Sequence, residues 1–325
     1  MPTSTTQSAS LTPADVSVVV PSYNHARFVE KCLRSIFRQT HLPSELIVID
    51  DGSSDDSPRV IERVLKDCPV ACELLVRPNR GLAATLNEGL ARTRGSYFAY
   101  LGSDDLWLPE FLAARGAQLA ARPRAVVAYG HAYSIDETDR IIDCTTDWAQ
   151  YVDGDARPML LTTLAPLSPT VVYRRAALPE RPWNEQARLE DYELYLRLSA
   201  AGEFAFDPRV LSAWRQHADN TSQNLTMMFA EKLAAQQRVA AQLGLSADKL
   251  ARYQARARFR SAQEFMRQGE KLTALRLWLK HPRGAPSITE AARFCAGLVV
   301  PHSLLRRRKE RLRQRAAAHY GALPM

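Results

Sequence analysis

The chain has 325 residues, with 46% hydrophobic and 24% charged residues, 14 Gly, 19 Pro and 5 Cys. Those proportions exclude collagen-like, wholly disordered and disulfide-scaffold architectures, and the length suits one catalytic-sized domain with an appendage. The formal net charge of +8 is uneven: residues 1–250 hold 26 Lys and Arg against 31 Asp and Glu, whereas residues 251–325 hold 17 against 4. Cys32, Cys68, Cys72, Cys144 and Cys295 are scattered with no C-x-x-C pair, which reads as free thiols in a reducing compartment rather than a zinc site.

After a Ser-, Thr- and Pro-rich opening at residues 1–14, read as a flexible leader, Val16–Pro21 is a continuous β-branched run. That is the pattern of a strand buried on both faces. Ala26–Gln39 then places Phe28, Cys32, Leu33, Ile36 and Phe37 at helical spacing. The alternation continues with strand Leu46–Asp50, helix Ser57–Lys66, strand Cys72–Val76, helix Leu82–Arg92 and strand Tyr97–Leu101. Four strands alternating with three helices predict an α/β fold with a doubly wound, mostly parallel sheet.

From Ala125 to about Pro208 the pattern is less regular, with strands Val126–Tyr129, Thr170–Tyr173 and Val210–Trp214 and a helix Leu189–Ala200 before Gly202. Beyond Asn224 the composition turns to Ala, Gln, Arg and Leu. Met227–Leu243, Ala247–Gln268, Leu272–Leu279 and Ile288–Val300 follow as helical patterns. The expected organisation is a catalytic domain at 15–224 and a helical extension at 225–325.

Ligands of open α/β sheets bind beyond the carboxyl ends of the strands. Strand one ends in Pro21-Ser22-Tyr23-Asn24, strand two in Asp50-Asp51-Gly52-Ser53-Ser54-Asp55, and strand four in Gly102-Ser103-Asp104-Asp105. Carboxylates crowded on one rim repel unless a cation or a hydrogen-bond donor sits among them. Each acidic pair alone also fits a turn that caps the next helix. Their recurrence at equivalent strand ends favours a binding site.

The runs VSVVVPSYN, LIVIDDGSSD and NRGLAATLNEGLARTRGSYFAYLGSDD resemble the family 2 glycosyltransferases of the GT-A fold, over about residues 15–222. The resemblance implies transfer of a sugar from a nucleotide-sugar donor to an acceptor hydroxyl, with inversion at the anomeric carbon. It implies that Asp105 ligates a divalent metal, Mn²⁺ or Mg²⁺, and that Asp104 faces the donor's ribose or sugar. It also implies that Tyr23 stacks on the base, Asp51 accepts a hydrogen bond from it, and the backbone around Pro21 lines the pocket. Simple chemistry agrees: a divalent ion stabilises charge growing on a diphosphate leaving group, and hard cations choose carboxylate oxygens. Arg80, just after strand three, is a candidate diphosphate contact, with a solvated loop arginine as the alternative. Asn87 matches a family asparagine near the donor, although the basic residue that often precedes it is Leu86 here.

An inverting displacement needs a base on the acceptor hydroxyl. Glu190-Asp191, opening the helix Leu189–Ala200, resembles the family's acidic pair, with Asp191 as base and Glu190 in support. Acids in a first helical turn also suit the macrodipole. Trp214-Arg215-Gln216-His217 and Asn220-Thr221-Ser222 resemble the R-x-H-x-x-N-x-S end of non-processive relatives, which implies that His217 completes the metal shell or touches the diphosphate, a structural histidine being the alternative. The Q-x-x-R-W signature of processive relatives is absent, so one sugar per encounter is expected. UDP is the default nucleotide, with dTDP and GDP open.

The basic excess concentrates in Arg306–Arg315, which holds seven basic residues and one acid next to the apolar run Phe294–Leu305. This predicts that residues 294–315 dock on an anionic membrane surface, a solvated basic helix being the alternative. Aromatics interleaved for base stacking are missing, so no nucleic acid partner is expected. The polar opening lacks a signal-peptide core, and the apolar stretch before the basic run falls short of the ~20 residues that span a bilayer. The expectation is a cytoplasmic enzyme, peripheral on the inner membrane, acting on a saccharide or lipid-linked saccharide of cell-surface polysaccharide. A glycoside hydrolase would also use two carboxylates but would leave Asp104-Asp105 unexplained. A nucleotidyltransferase would carry a Gly-rich loop after Val20. A non-catalytic nucleotide-sugar or membrane-binding protein with a vestigial site stays open.

Overall fold

The computed structural model describes residues 15–218 and 220–323, so the leader expected at residues 1–14 lies outside the described residues. Val16–Ser22 (β1) is buried along its length. Its alternate side chains part into two layers, as a strand's period of two requires: Val16, Val18 and Val20 meet Cys32, Leu33 and Ile36, while Val19 meets Leu86 and Leu90. The first helix, Val29–Phe37 (α1), starts three residues later than its apolar spacing predicts. The His25 carbonyl accepts the amides of both Phe28 and Val29, and Asn24 sits at φ 54°, so a turn occupies that first stretch.

Glu45–Asp50 (β2), Ser57–Leu65 (α2), Cys72–Val76 (β3), Leu82–Arg92 (α3) and Tyr97–Tyr100 (β4) follow. β1 pairs in parallel with β2 and with β4, and β2 with β3. α3 lies tight on β1 because Gly89 offers no side chain; a Cβ there would stand 2.6 Å from Val19 Cγ1.

The second half is mixed. It comprises Leu106–Trp107 (β5), Phe111–Ala121 (α4), Ala125–Ile135 (β6), Ile141–Cys144 (β7), Arg157–Leu161 (α5), Val172–Arg174 (β8), Glu190–Ala201 (α6) and Glu203–Arg215 (β9). The sheet runs β3-β2-β1-β4-β8-β6-β9-β5, with β7 paired to β6. β8 enters antiparallel between β4 and β6, and β9 runs parallel to β6. Pairing with β9 extends β6 to Ile135, well past the strand expected at Val126–Tyr129.

Leu225–Val239 (α7), Ala247–Arg267 (α8), Lys271–Lys280 (α9), Ile288–Val299 (α10) and His302–Tyr320 (α11) form the helical C-terminal region. Ser246 and Ser287 cap α8 and α10, their hydroxyls accepting the Lys249 and Glu290 amides, the arrangement that satisfies free N–H groups of a first turn. Phe259, Phe265 and Phe294 make a small core of their own. Phe294 is thus turned inward, and the run Phe294–Leu305 is broken at Val300–Pro301 rather than forming one lipid-facing helix. α11 packs on β7, and the Tyr320 hydroxyl donates to Asp147 at 2.7 Å. Among the described residues no helix is long and apolar enough to cross a membrane.

Candidate active site

The loops leaving β1, β2, β3 and β4 are tied to one another at the carboxyl rim of the sheet. The Asn24 amide donates to Ser53 Oγ, Asn24 Oδ1 accepts the Ser54 amide, and the His25 amide donates to Ser57 Oγ. Asp50 folds its own loop by accepting the Ser53 amide and hydroxyl at 2.9 and 2.7 Å. Gly52 at φ 79° lets the next loop approach, since a Cβ there would meet the Asn79 nitrogen at 2.7 Å.

Asp51 holds that next loop. Its carboxylate accepts the Arg80 and Gly81 amides at 2.8 Å each and pairs with the half-buried Arg77 guanidinium, which also reaches Glu88 and Thr85. A carboxylate offers about four lone-pair sites, so Asp51 is first of all the clamp that shapes this rim. The Arg80 side chain is exposed, 3.5 Å from Glu88, so its backbone rather than its guanidinium is fixed at the rim. Pro21 is buried in β1, and Tyr23 is 49% exposed just beyond it, leaving a ring face open.

Asn87 does not join this rim. Its side-chain amide donates to the Trp183 carbonyl at 2.8 Å and to Glu185 at 3.0 Å, and its oxygen accepts the Trp183 amide at 3.0 Å. In this structure Asn87, expected near the donor, bolts α3 to the 183–185 segment.

Beyond β4 the structure gathers His25, Asp104 and His217, with one ligand atom from each within 4.8 Å of the others. His217 Nε2 lies 3.0 Å from one Asp104 oxygen, and His25 Nδ1 lies 3.8 Å from the other while bonding Ser103 Oγ at 2.8 Å. Burial pushes the Asp104 carboxyl up, but the two imidazoles more than offset this and hold it below the ordinary carboxylate range. Burial, followed by the His217 and Arg27 charges, holds His25 low despite the pull of Asp104. Two imidazoles and a carboxylate gathered this closely form a donor set that a divalent transition metal can take.

Asp105 is placed differently from the expectation that made it the metal ligand. It is buried, and one of its oxygens accepts the Arg215 amide at 2.8 Å. Burial, then the neighbouring Asp104 charge, pushes its carboxyl well above the ordinary value. In this structure Asp104 faces the histidines and Asp105 faces β9. The fully buried Arg215 braces this loop, its Nε donating to the Asp104 carbonyl at 2.7 Å and its Nη1 to the Asp136 carbonyl at 2.8 Å, with Asp139 paired at 2.6 Å. Its guanidinium also stacks over Phe28.

Glu190 and Asp191 open α6, half-buried, and the hydroxyl of Tyr100 donates to Asp191. Tyr100 is the last residue of β4, so the acidic pair stands over the strand whose following loop carries Asp104. Burial pushes Asp191 up to about 6, with the Tyr100 hydroxyl and the Trp183 indole opposing the rise. Burial and then the Asp191 charge push Glu190 up to about 8. One proton held on Glu190 with Asp191 ionised near neutral pH is the state a general base requires.

The sequence profile described as glycosyl transferase family 2 matches residues 17–180. The chain belongs to this family. A glycosyltransferase from Nostoc is 29% identical over 167 residues, covering 50% of this chain and 52% of that protein. The chondroitin synthase of Escherichia coli is 26% identical over 214 residues, covering 64% of this chain and 30% of the synthase. The chain therefore spans about half or less of these relatives' length. Among solved structures, S. aureus TarS 1–349 in complex with UDP-GlcNAc superimposes with a TM-score of 0.59 at 16% identity, covering 94% of this chain and 91% of that one. The mannosyltransferase PcManGT from Pyrobaculum calidifontis, in complex with GDP-Man and Mn²⁺, gives 0.58 at 17%, covering 95% and 88%. The fold is that of the GT-A glycosyltransferases.

Three functional candidates in this family 2 chain escaped the sequence reading. His25 follows the first strand's polar cluster but has no spacing relation to His217. Tyr100 reads as one more apolar strand residue until Asp191 is placed beside it. Arg77 looks like a loop arginine, although an arginine directly after a strand and ahead of an Asn-Arg-Gly turn is a signal that could have found it.

Proposed function

We propose that the protein moves one hexosyl or N-acetylhexosaminyl group from a UDP-sugar to an acceptor hydroxyl with inversion at the anomeric carbon. The acceptor is a saccharide or lipid-linked saccharide of a cell-surface polysaccharide. The observation that carries this reading is Asp191, oriented by Tyr100 and raised to about 6 beside the rim that ends in Asp104. Asp191 removes the acceptor proton, and Glu190, retaining its own, keeps a second negative charge away from it. Tyr23 offers its open face to the base, and the Arg80–Gly81 backbone fixed by Asp51 lines the diphosphate side with Arg80 in reach.

His25, Asp104 and His217 would hold a divalent ion. Two imidazoles and one carboxylate suit Mn²⁺ better than Mg²⁺, which prefers oxygen alone. Once bound, the ion neutralises charge developing on the diphosphate leaving group. A thermal-shift screen of nucleotide sugars with Mn²⁺, UDP-GlcNAc and GDP-mannose among them, tests the donor, because a ligand of the native state raises apparent stability. Nucleoside diphosphate released only when acceptor and donor are both present supports transfer. Release of free sugar from a glycoside without any donor overturns it.

The proposed setting is the cytoplasmic face of the inner membrane. What supports docking is the exposure of Ile288 at 90% and Val299 at 81%, with Leu304 and Leu312 on the helix that carries Arg306, Arg307 and Arg308. Each basic residue near an anionic leaflet contributes about 1 kcal/mol. Co-sedimentation with anionic vesicles should fall when these arginines become alanine, and equal recovery would remove the membrane from the account.

A further inference from the structure

We propose that the cleft between α5 and α8 holds the body of an anionic acceptor, a saccharide chain carrying repeated oxyanions; this rests on the transfer reading above. The cleft encloses about 510 Å³, within the ~300–1,000 Å³ of small-ligand sites. Lys249, Arg252 and Arg256 project into it from α8, Arg157 faces them from α5, and Tyr253 and Leu245 supply apolar wall. Residues 249, 252 and 256 fall on one helix face, where like charges oppose one another. Arg157 is held by Asp155 through two contacts of 2.8 Å. Among the described residues, none of the three α8 cations has a carboxylate within 4.0 Å. The missing counter-charge is what a ligand with oxyanions would bring, and guanidinium forks match carboxylate and phosphate alike.

The walls are cross-braced by hydrogen bonds. The Leu161 carbonyl at the end of α5 accepts Gln236 of α7, and the Thr162 carbonyl accepts Arg260 of α8, each at 2.9 Å. The Leu160 carbonyl accepts the hydroxyl of Tyr192 at 2.9 Å. Tyr192 is the residue after the base Asp191, so the α5 wall of the cleft is fastened to the first turn of α6. A chain seated against α5 is thereby fixed relative to the catalytic pair, and the aromatic face of Tyr253 suits the C–H face of a sugar ring.

The test titrates the full chain with three probes: a hyaluronan hexasaccharide, which bears only carboxylates, an oligomer of glycerol phosphate, which bears only phosphodiesters, and neutral maltohexaose. At least one anionic probe should bind, and its identity names the oxyanion. The exposed pair Arg252→Ala/Arg256→Ala should weaken that binding about tenfold or more, on the strength of hydrogen bonds to charged groups, while Arg307→Ala/Arg308→Ala in α11 leaves it unchanged. Unchanged binding by the cleft variant, equal loss in both variants, failure of both anionic probes, or equal binding of maltohexaose would each overturn the proposal. Stabilisation of the wild-type chain by UDP-sugar and Mn²⁺ is read in parallel. If that shift is present and the cleft variant still binds normally, this inference falls and the transfer reading stands.

Discussion

The hydroxyl of Tyr100 donates to the carboxylate of Asp191, a residue 91 positions further along the chain. A hydrogen bond to the charged form lowers a carboxyl's pKa, so Tyr100 works against the burial that has pushed Asp191 up to about 6. Tyr100→Phe should move the acidic limb of the turnover–pH profile upward by about one unit and leave the plateau at higher pH largely intact. Asp191→Asn should lower turnover ~10²–10⁴-fold with donor affinity retained. Near-normal turnover in that variant would send the search for the base elsewhere.

Glu190 and Asp191 also set a stability trend. Both are raised in the folded chain above their ordinary values near 4, so the native state binds protons more tightly than the unfolded one. Stability is then full at pH below about 4 as far as these groups are concerned, and it declines as pH rises through about 6 and then about 8. Urea midpoints measured across that window should fall more steeply for the wild type than for Glu190→Gln, which cannot ionise. A flat difference between the two would mean that the pair is not perturbed.

If His25, Asp104 and His217 hold the cation, His217→Ala and Asp104→Ala should each abolish the rise in thermal midpoint that Mn²⁺ adds in the presence of donor. Asp105→Asn should behave differently. It keeps an oxygen for the Arg215 amide and removes a buried carboxyl, so Mn²⁺ response should persist. The opposite pattern, with Asp105 indispensable for the ion and His217 dispensable, would restore the assignment drawn from family resemblance.

The Asp104–Asp105 rim shows which parts of the site were legible in the sequence. β3 and α3 have the bounds that their apolar patterns predict, and α3 buries a face whose period depends only on local chain geometry. The rim itself was legible for the same reason: polar clusters directly after buried strands must face one edge. The surroundings of Asp104 and Asp105 were not, since two identical neighbours are told apart by His217 on one side and the Arg215 amide on the other, both more than 100 residues away. Asn87 shows a similar limit. Its partner segment begins 96 residues later, and nothing on its own helix distinguishes a donor-facing amide from one fastened to Trp183.

The placement of Asn87 has its own test. Three hydrogen bonds from a buried amide are lost in Asn87→Ala, and leaving the Trp183 backbone groups unpaired costs about 1–3 kcal/mol. The thermal midpoint should drop while the Michaelis constant for donor stays within about twofold of wild type, a difference of about 0.4 kcal/mol. A large donor effect without loss of stability would place Asn87 back in the pocket.

Arg215 is where fold and site depend on one side chain. Its guanidinium is fully buried and reaches two carbonyls, Asp139 and the ring of Phe28, while its own amide holds Asp105. Arg215→Met fills similar volume but strips both carbonyls of their partner and leaves Asp139 with Lys31 alone, and breaking a buried pair costs about 3–5 kcal/mol. Asp139 is 25% exposed and can turn toward water, so the low end applies. Arg215→Lys retains the charge without the fork, and should recover part of the stability but not the placement of the Asp104 loop. The two variants therefore separate the roles: urea denaturation should rank wild type above Lys above Met, whereas Mn²⁺-dependent donor binding should be weakened in both. If Arg215→Lys bound Mn²⁺ and donor like the wild type, the guanidinium would be a structural anchor alone, and the position of Asp104 would have to be held by the His25–Ser103 contact instead.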